Sequence, residues 1–192
     1  NTWLYDMVCY PKNQTGNPTL DKSVRRYADS VLPRNGEKVS TADFLTAGND
    51  FSYADTVTAS EGDVLDYILV SKLPHITSAA TYLSEYTFTD TLAAGLRYNR
   101  DAKIAFYDNG KDANSNNTEN AISVWELDSG DYSQEYAYVT VQDPDTGMQT
   151  PDGSTRMNIR LTELGLNVLN GGKNREEGLS DYYMVVSYTA TV

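Results

Sequence analysis

Two lysines, Lys12 and Lys22, lie ten residues apart in the segment VCYPKNQTGNPTLDKSV (residues 8–24), on either side of the turn-like QTGNP. Neither belongs to a basic cluster, and the chain has a formal net charge of -12. On residue type alone, Lys22 reads as a solvent-facing strand lysine and Lys12 as an edge charge that discourages strand pairing. Other residues able to do chemistry are few. The single cysteine, Cys9, alternates with Met7 in an apolar run and reads as a buried small hydrophobe. The single histidine, His75, follows KLP at a strand end. Without Cys or His companions it does not fit the common zinc patterns, and it weighs against a Ser-His-Asp triad.

Carboxylates are plentiful, 27 in all, so a glycosidase pair stays open, although no pair is singled out. Asp90 stands apart from the rest. In TYLSEYTFTDTL (81–92) it shares one strand face with Tyr86 and Phe88, while Thr87, Thr89 and Thr91 take the other. A carboxylate pointing inward has to be protonated or partnered. The other reading is that Asp90 caps a turn in TDTL. DPDTG (143–147) has some of the acidic spacing of a calcium loop but lacks its downstream glutamate, and reads as a hairpin turn. NNT (116–118) matches a glycosylation sequon within a polar loop. Neither a glycine-rich phosphate loop nor a nucleophile elbow is present.

These residues need elements to position them. The chain has 192 residues, 40% apolar and 22% charged, enough for a real core. Fifteen tyrosines against four phenylalanines suit half-wet strand faces. The acidic balance argues against a nucleic-acid partner and favours solubility. No apolar run approaches the roughly 20 residues that span a bilayer, and the start lacks a signal-peptide pattern, so a mature form is expected. With one cysteine, no internal disulfide can form.

Alternation predicts strands over 2–10, 19–24, 62–74, 81–92 and 102–110, within AISVWELD, EYAYVTVQD and STRMNIRL, and over 181–192. Residues 25–50 are polar with two turns, and KDANSNNTEN (111–120) reads as a loop. The one helix expected is LTELGLNVLNGG (161–172), with Thr162 as N-cap and a double-glycine stop. Short strands at regular intervals with a single helix predict an all-β sandwich with long loops.

Several segments resemble the backbone pilins of Gram-positive sortase-assembled pili. YPKN (10–13) is similar to their pilin motif, which closes one Ig-like domain just before the next. PTLDKSV (18–24) resembles the opening strand of that next domain, and GDVLDYILVSKLP, YTFTDTLAAGLRYN and VVSYTATV resemble its later segments in order. YPKN alone is weak; five ordered segments covering nearly the whole chain are more specific.

The resemblance implies an Ig-like β-sandwich of the Cna isopeptide type over residues 17–192. Residues 1–16 would then be the closing strand of a preceding domain plus a linker. It implies that Lys12 accepts the neighbouring subunit's C-terminal threonine from a pilin-specific sortase. It implies that Lys22 forms an intramolecular isopeptide bond with an asparagine, assisted by Asp90 as the buried acid. An amine buried among apolar side chains loses its proton and a buried acid keeps one, so the acid can polarise the carboxamide while the fold holds the reactants together. Asn13 would be the bond-forming asparagine of the preceding domain. The strand that carries the partner of Lys22 lies, in the family, beyond the segment matching VVSYTATV; Asn158 and Asn167 do not occupy that motif position, so a last-strand peptide supplied in trans is also a candidate partner.

The function expected is thus that of a structural shaft subunit in an extracellular, cell-wall-anchored pilus, partnered by neighbouring pilin subunits. Its only chemistry would be one autocatalytic turnover, with no cofactor and no metal. Three alternatives stand beside it: an adhesin domain binding host matrix or glycan, a split isopeptide domain that captures a peptide, and a carbohydrate-active β-sandwich enzyme.

Overall fold

A computed structural model describes residues 5–11, 19–27, 53–55, 59–76, 82–128, 135–144, 150–171 and 177–192. Among the described residues, ten strands form two antiparallel sheets. They are β1 (Tyr5–Pro11), β2 (Thr19–Tyr27), β3 (Val64–Lys72), β4 (Leu83–Leu92), β5 (Arg97–Tyr98), β6 (Lys103–Tyr107), β7 (Ser123–Glu126), β8 (Ala137–Gln142), β9 (Thr155–Leu161) and β10 (Tyr183–Thr191). One sheet has the order β1-β4-β9-β8; the other runs β2-β3-β10-β6-β7, with β5 also paired to β10. The all-β expectation holds at this level.

Period-two patterning explains the four-stranded sheet. Tyr86, Phe88 and Asp90 of β4 are buried, as are Thr155, Met157, Ile159 and Leu161 of β9, while the residues between them are partly or fully exposed. Their inner faces meet Tyr67 and Leu69 of β3, Ile104 and Phe106 of β6, and Met184, Val186 and Tyr188 of β10 in one core. Each such side chain contributes on the order of 1.5–3 kcal/mol by leaving water.

β3 and β10 depart from simple alternation. β3 is buried from Leu65 through Ser71 because its outer face is covered as well. There Ile68, Val70, Ala105, Tyr107 and Val185 form a second, smaller cluster that Ala113 caps. Ala113 belongs to helix α1 (Gly110–Ser115), inside the segment expected to be a loop. That expectation is corrected. Asn109 accepts from the Asp112 N–H as N-cap, and Asn116 closes the helix in the left-handed conformation at φ 46°. A 3-10 turn follows at Thr118–Asn120. The predicted helix is α2 (Glu163–Asn170), capped by Thr162 as expected, whose Oγ1 accepts from the Gly165 N–H.

β1 pairs with β4 from Tyr5 to Pro11 and so forms an edge of the four-stranded sheet. The strand expected to close a preceding domain is, in this chain, part of the sandwich. Residues 12–18 lie outside the described residues.

Candidate functional site

β2 is the edge strand of the larger sheet, and β4 lies second in the smaller one. β2 pairs with β3 in a register that sets Lys22 opposite Leu69 and Val24 opposite Tyr67. Leu69, Tyr67 and Val24 all belong to the main core, so Lys22 shares their inward face. A lysine on that face has to bring its ammonium into the sandwich, and it does.

Lys22 Nζ lies 2.6 Å from Asp90 Oδ1, with side chains only 6% and 3% exposed. The pair therefore joins the two sheets through the core. Of the two readings of Asp90, the inward one is observed, together with a local bond in which Oδ1 also accepts from the Thr91 N–H at 2.9 Å. The Tyr188 hydroxyl donates to the other carboxylate oxygen, Oδ2. Three donors thus meet one buried carboxylate, as a buried anion requires.

An aromatic wall surrounds the pair. Lys22 Nζ sits 5.1 Å from the centre of the Tyr67 ring, within cation-π range. Tyr67 stacks on Tyr188 with centroids 5.2 Å apart, and Tyr98 meets Tyr188 edge-on at 5.9 Å. Burial, then the charge of Asp90, push the Tyr188 hydroxyl well above its ordinary range. Tyr188 therefore stays a donor whenever the protein is folded. Burial likewise raises the Tyr67 hydroxyl.

This arrangement can move one proton. A buried ion pair 2.6 Å apart becomes an uncharged amine and an uncharged acid when the shared proton shifts from nitrogen to oxygen. The products are a nucleophile and a hydrogen-bond donor in contact.

The remaining candidates fall elsewhere. Lys12 and Asn13 lie outside the described residues. Asn158 stands opposite Thr89 and accepts from its hydroxyl at 2.9 Å, on the face of β4 away from Asp90. Asn167 is exposed on α2. Cys9 is paired in register with Tyr86. His75 is largely exposed and bonds Asp181 at 2.6 Å, while the neighbouring Ser180 hydroxyl is engaged with the Ile76 backbone. Asp143 is buried against the Arg100 guanidinium at 2.8 Å, and 145–147 of the DPDTG segment lie outside the described residues. Asn116 of the sequon accepts from the Tyr107 hydroxyl. Among the described residues, no group of three or more His, Cys, Asp or Glu side chains could hold a metal ion.

A second buried carboxylate, Asp66, lies on the outer face of the larger sheet. It accepts from Arg25 Nε at 2.8 Å and from the Tyr53 hydroxyl at 2.6 Å. Burial raises its carboxyl above the ordinary value, and Arg25 opposes that rise. Its cation is a guanidinium, which stays protonated and does not act as a nucleophile.

Sequence reasoning found both members of the Lys22–Asp90 pair but missed Tyr188. The alternation of Met184, Val186, Tyr188 and Ala190 could have put Tyr188 on an inner face, but nothing local says which acid it meets. No protein-family model and no curated protein matches this chain.

Proposed function

We propose that this chain is an Ig-like shaft domain of a sortase-assembled, cell-wall-anchored pilus, and that its internal chemistry is one autocatalytic isopeptide bond at Lys22. The observation that carries the reading is the Lys22–Asp90 pair, buried between the sheets at 2.6 Å. Such a pair adds little stability over a well-packed apolar one, so its retention in a core fits a chemical use.

In the reaction, the lysine first passes its proton to Asp90. The uncharged Nζ then attacks the side-chain carbonyl carbon of an asparagine while Asp90 donates to the carbonyl oxygen. The carbon–nitrogen bond to Nζ forms, the bond to the amide nitrogen breaks, and that nitrogen leaves as ammonia with a proton relayed from Nζ through Asp90. The proton that Asp90 first took from the lysine then departs with the ammonia as ammonium, which returns Asp90 to the carboxylate. The fold contributes by holding amine and carboxamide together, an effect that reaches about 10⁵ M or more in effective concentration. The bond would tie strands together and restrict the unfolded chain as a disulfide does, in a protein with one cysteine. In the same reading, Lys12 is the amine that sortase joins to the next subunit.

The register of β1 supplies a test within the chain itself. Tyr5 pairs with Asp90 and Asp6 with Thr89. Antiparallel partners share a face with Cβ atoms roughly 4.5–5.5 Å apart, which places position 5 beside Asp90 in the register. Tyr5→Asn is expected to lower the intact mass by one additional ammonia after folding. Asp6→Asn, on the opposite face, is expected not to. Adding Lys22→Ala or Asp90→Ala to Tyr5→Asn should abolish the loss; persistence in both would refute the site.

A further inference from the structure

The proposed bond asks more of Asp90 than burial. Its two oxygens are not equivalent: Oδ1 faces Lys22 and the Thr91 N–H, whereas Oδ2 takes the Tyr188 hydroxyl. Resting on the isopeptide reading, we propose that Tyr188 is a positioning residue that holds Oδ2 and so makes Oδ1 the oxygen that takes and returns the lysine's proton.

The packing fixes the direction of that hydroxyl. Tyr188 sits on β10, between β3 and β6, directly opposite Tyr67 in the register of β3. Stacking on Tyr67 and the edge of Tyr98 hold its ring, and 1% of the residue is exposed. A tyrosine hydroxyl donates one hydrogen bond, and here that bond goes to Asp90.

The consequence for the proton is specific. Protonation at Oδ2 would put a hydrogen on the oxygen to which Tyr188 already donates, so that hydroxyl would have to share it or turn and accept. At Oδ1, the proton simply moves along the existing bond from Lys22, and Tyr188 keeps an acceptor, because Oδ2 becomes the carbonyl oxygen of the acid. The new O–H then points to the side from which Lys22 attacks, where it can meet the carboxamide oxygen. No other reactant is consumed, and the proton returns to the departing nitrogen. Without the Tyr188 bond the carboxyl is held at Oδ1 alone, by Lys22 and the Thr91 N–H, and Oδ2 loses the donor that fixes its role.

The test compares cross-linking rates by intact mass in the Tyr5→Asn chain, alone and with Tyr188→Phe. Removing the hydroxyl should slow the bond by about tenfold or more, within the range that positioned acid–base groups supply. A 4-aminophenylalanine at position 188, which keeps a donor at the end of the ring, should restore most of the rate. Tyr107→Phe removes a buried tyrosine hydroxyl in the outer cluster, which serves Asn116 instead, and should leave the rate unchanged.

Equal rates with and without Tyr188→Phe, while the bond still forms through Lys22, would overturn the positioning role alone. An equal slowing by Tyr107→Phe, or no rescue by 4-aminophenylalanine, would reduce Tyr188 to packing. If Tyr5→Asn forms no bond at all, the isopeptide reading fails and the role of Tyr188 fails with it.

Discussion

Removing the amine while leaving the acid should expose how much the buried pair depends on both partners. Lys22→Met keeps most of the side chain's length and apolar stem but leaves Asp90 with only Thr91 and Tyr188 as donors among the contacts described above. Deleting one partner of a buried pair typically costs about 3–5 kcal/mol. For a chain of this size that corresponds to a fall in melting temperature of about 6–20 °C. Replacing both, as Lys22→Met with Asp90→Leu, removes the stranded charge. What remains is the Tyr188 hydroxyl without its acceptor, worth about 1–3 kcal/mol, which Tyr188→Phe should recover. Urea unfolding of wild type, both single variants, the double and the triple gives the coupling directly. A Lys22→Met loss below about 1 kcal/mol, or strictly additive single and double losses, would refute the picture of a desolvated pair.

Two further outcomes follow from the same structure. Gly165 of α2 lies against β8's approach, where an added Cβ would stand 2.0 Å from the Tyr136 carbonyl oxygen. Gly165→Ala should therefore destabilise by about 1–3 kcal/mol in urea unfolding, despite alanine's better helix propensity; a gain in stability would contradict that close approach. Asp66, whose folded pKa is raised above 3.8 by burial, binds its proton more tightly folded than unfolded. Its contribution to stability is therefore present at low pH and is lost as pH rises from about 3.8 through the raised folded value. Asp66→Asn should remove that downward component when unfolding free energies are compared across pH 4–7, and an unchanged slope would count against it.

The strands were legible because half-buried sheets alternate. TYLSEYTFTDTL announced the faces of β4 correctly but left Asp90 open between an inward position and a turn cap, of which the inward one is observed. α1 was not legible, because GKDANS buries only Ala113 and carries no apolar stripe; the available signal was the Asn109 cap placed three residues before Asp112. β3 looked like an alternating strand but is buried on both faces, since the second cluster that covers it draws on β6, β10 and α1. Lys22 and Asp90 were paired in advance only through a resemblance, for they are 68 residues apart and lie on different sheets. Tyr188 was out of reach for the same reason: its bond to Asp90 spans 98 residues and depends on the offset of one sheet over the other. Local pattern fixes a face, whereas the partner across the core is set by packing.

The central claim, that Lys22 and Asp90 form a bond-making site, is tested most directly by tandem mass spectrometry of a digest of the folded Tyr5→Asn chain. Loss of ammonia alone is ambiguous, because an asparagine followed by glycine, such as Asn109 or Asn170, loses the same mass on closing to a succinimide. A branched peptide joining the Lys22 segment to position 5, absent when Asp90→Ala is added, is the predicted result. Unmodified Lys22 peptides in the folded Tyr5→Asn chain, or a branch at another lysine, would contradict it.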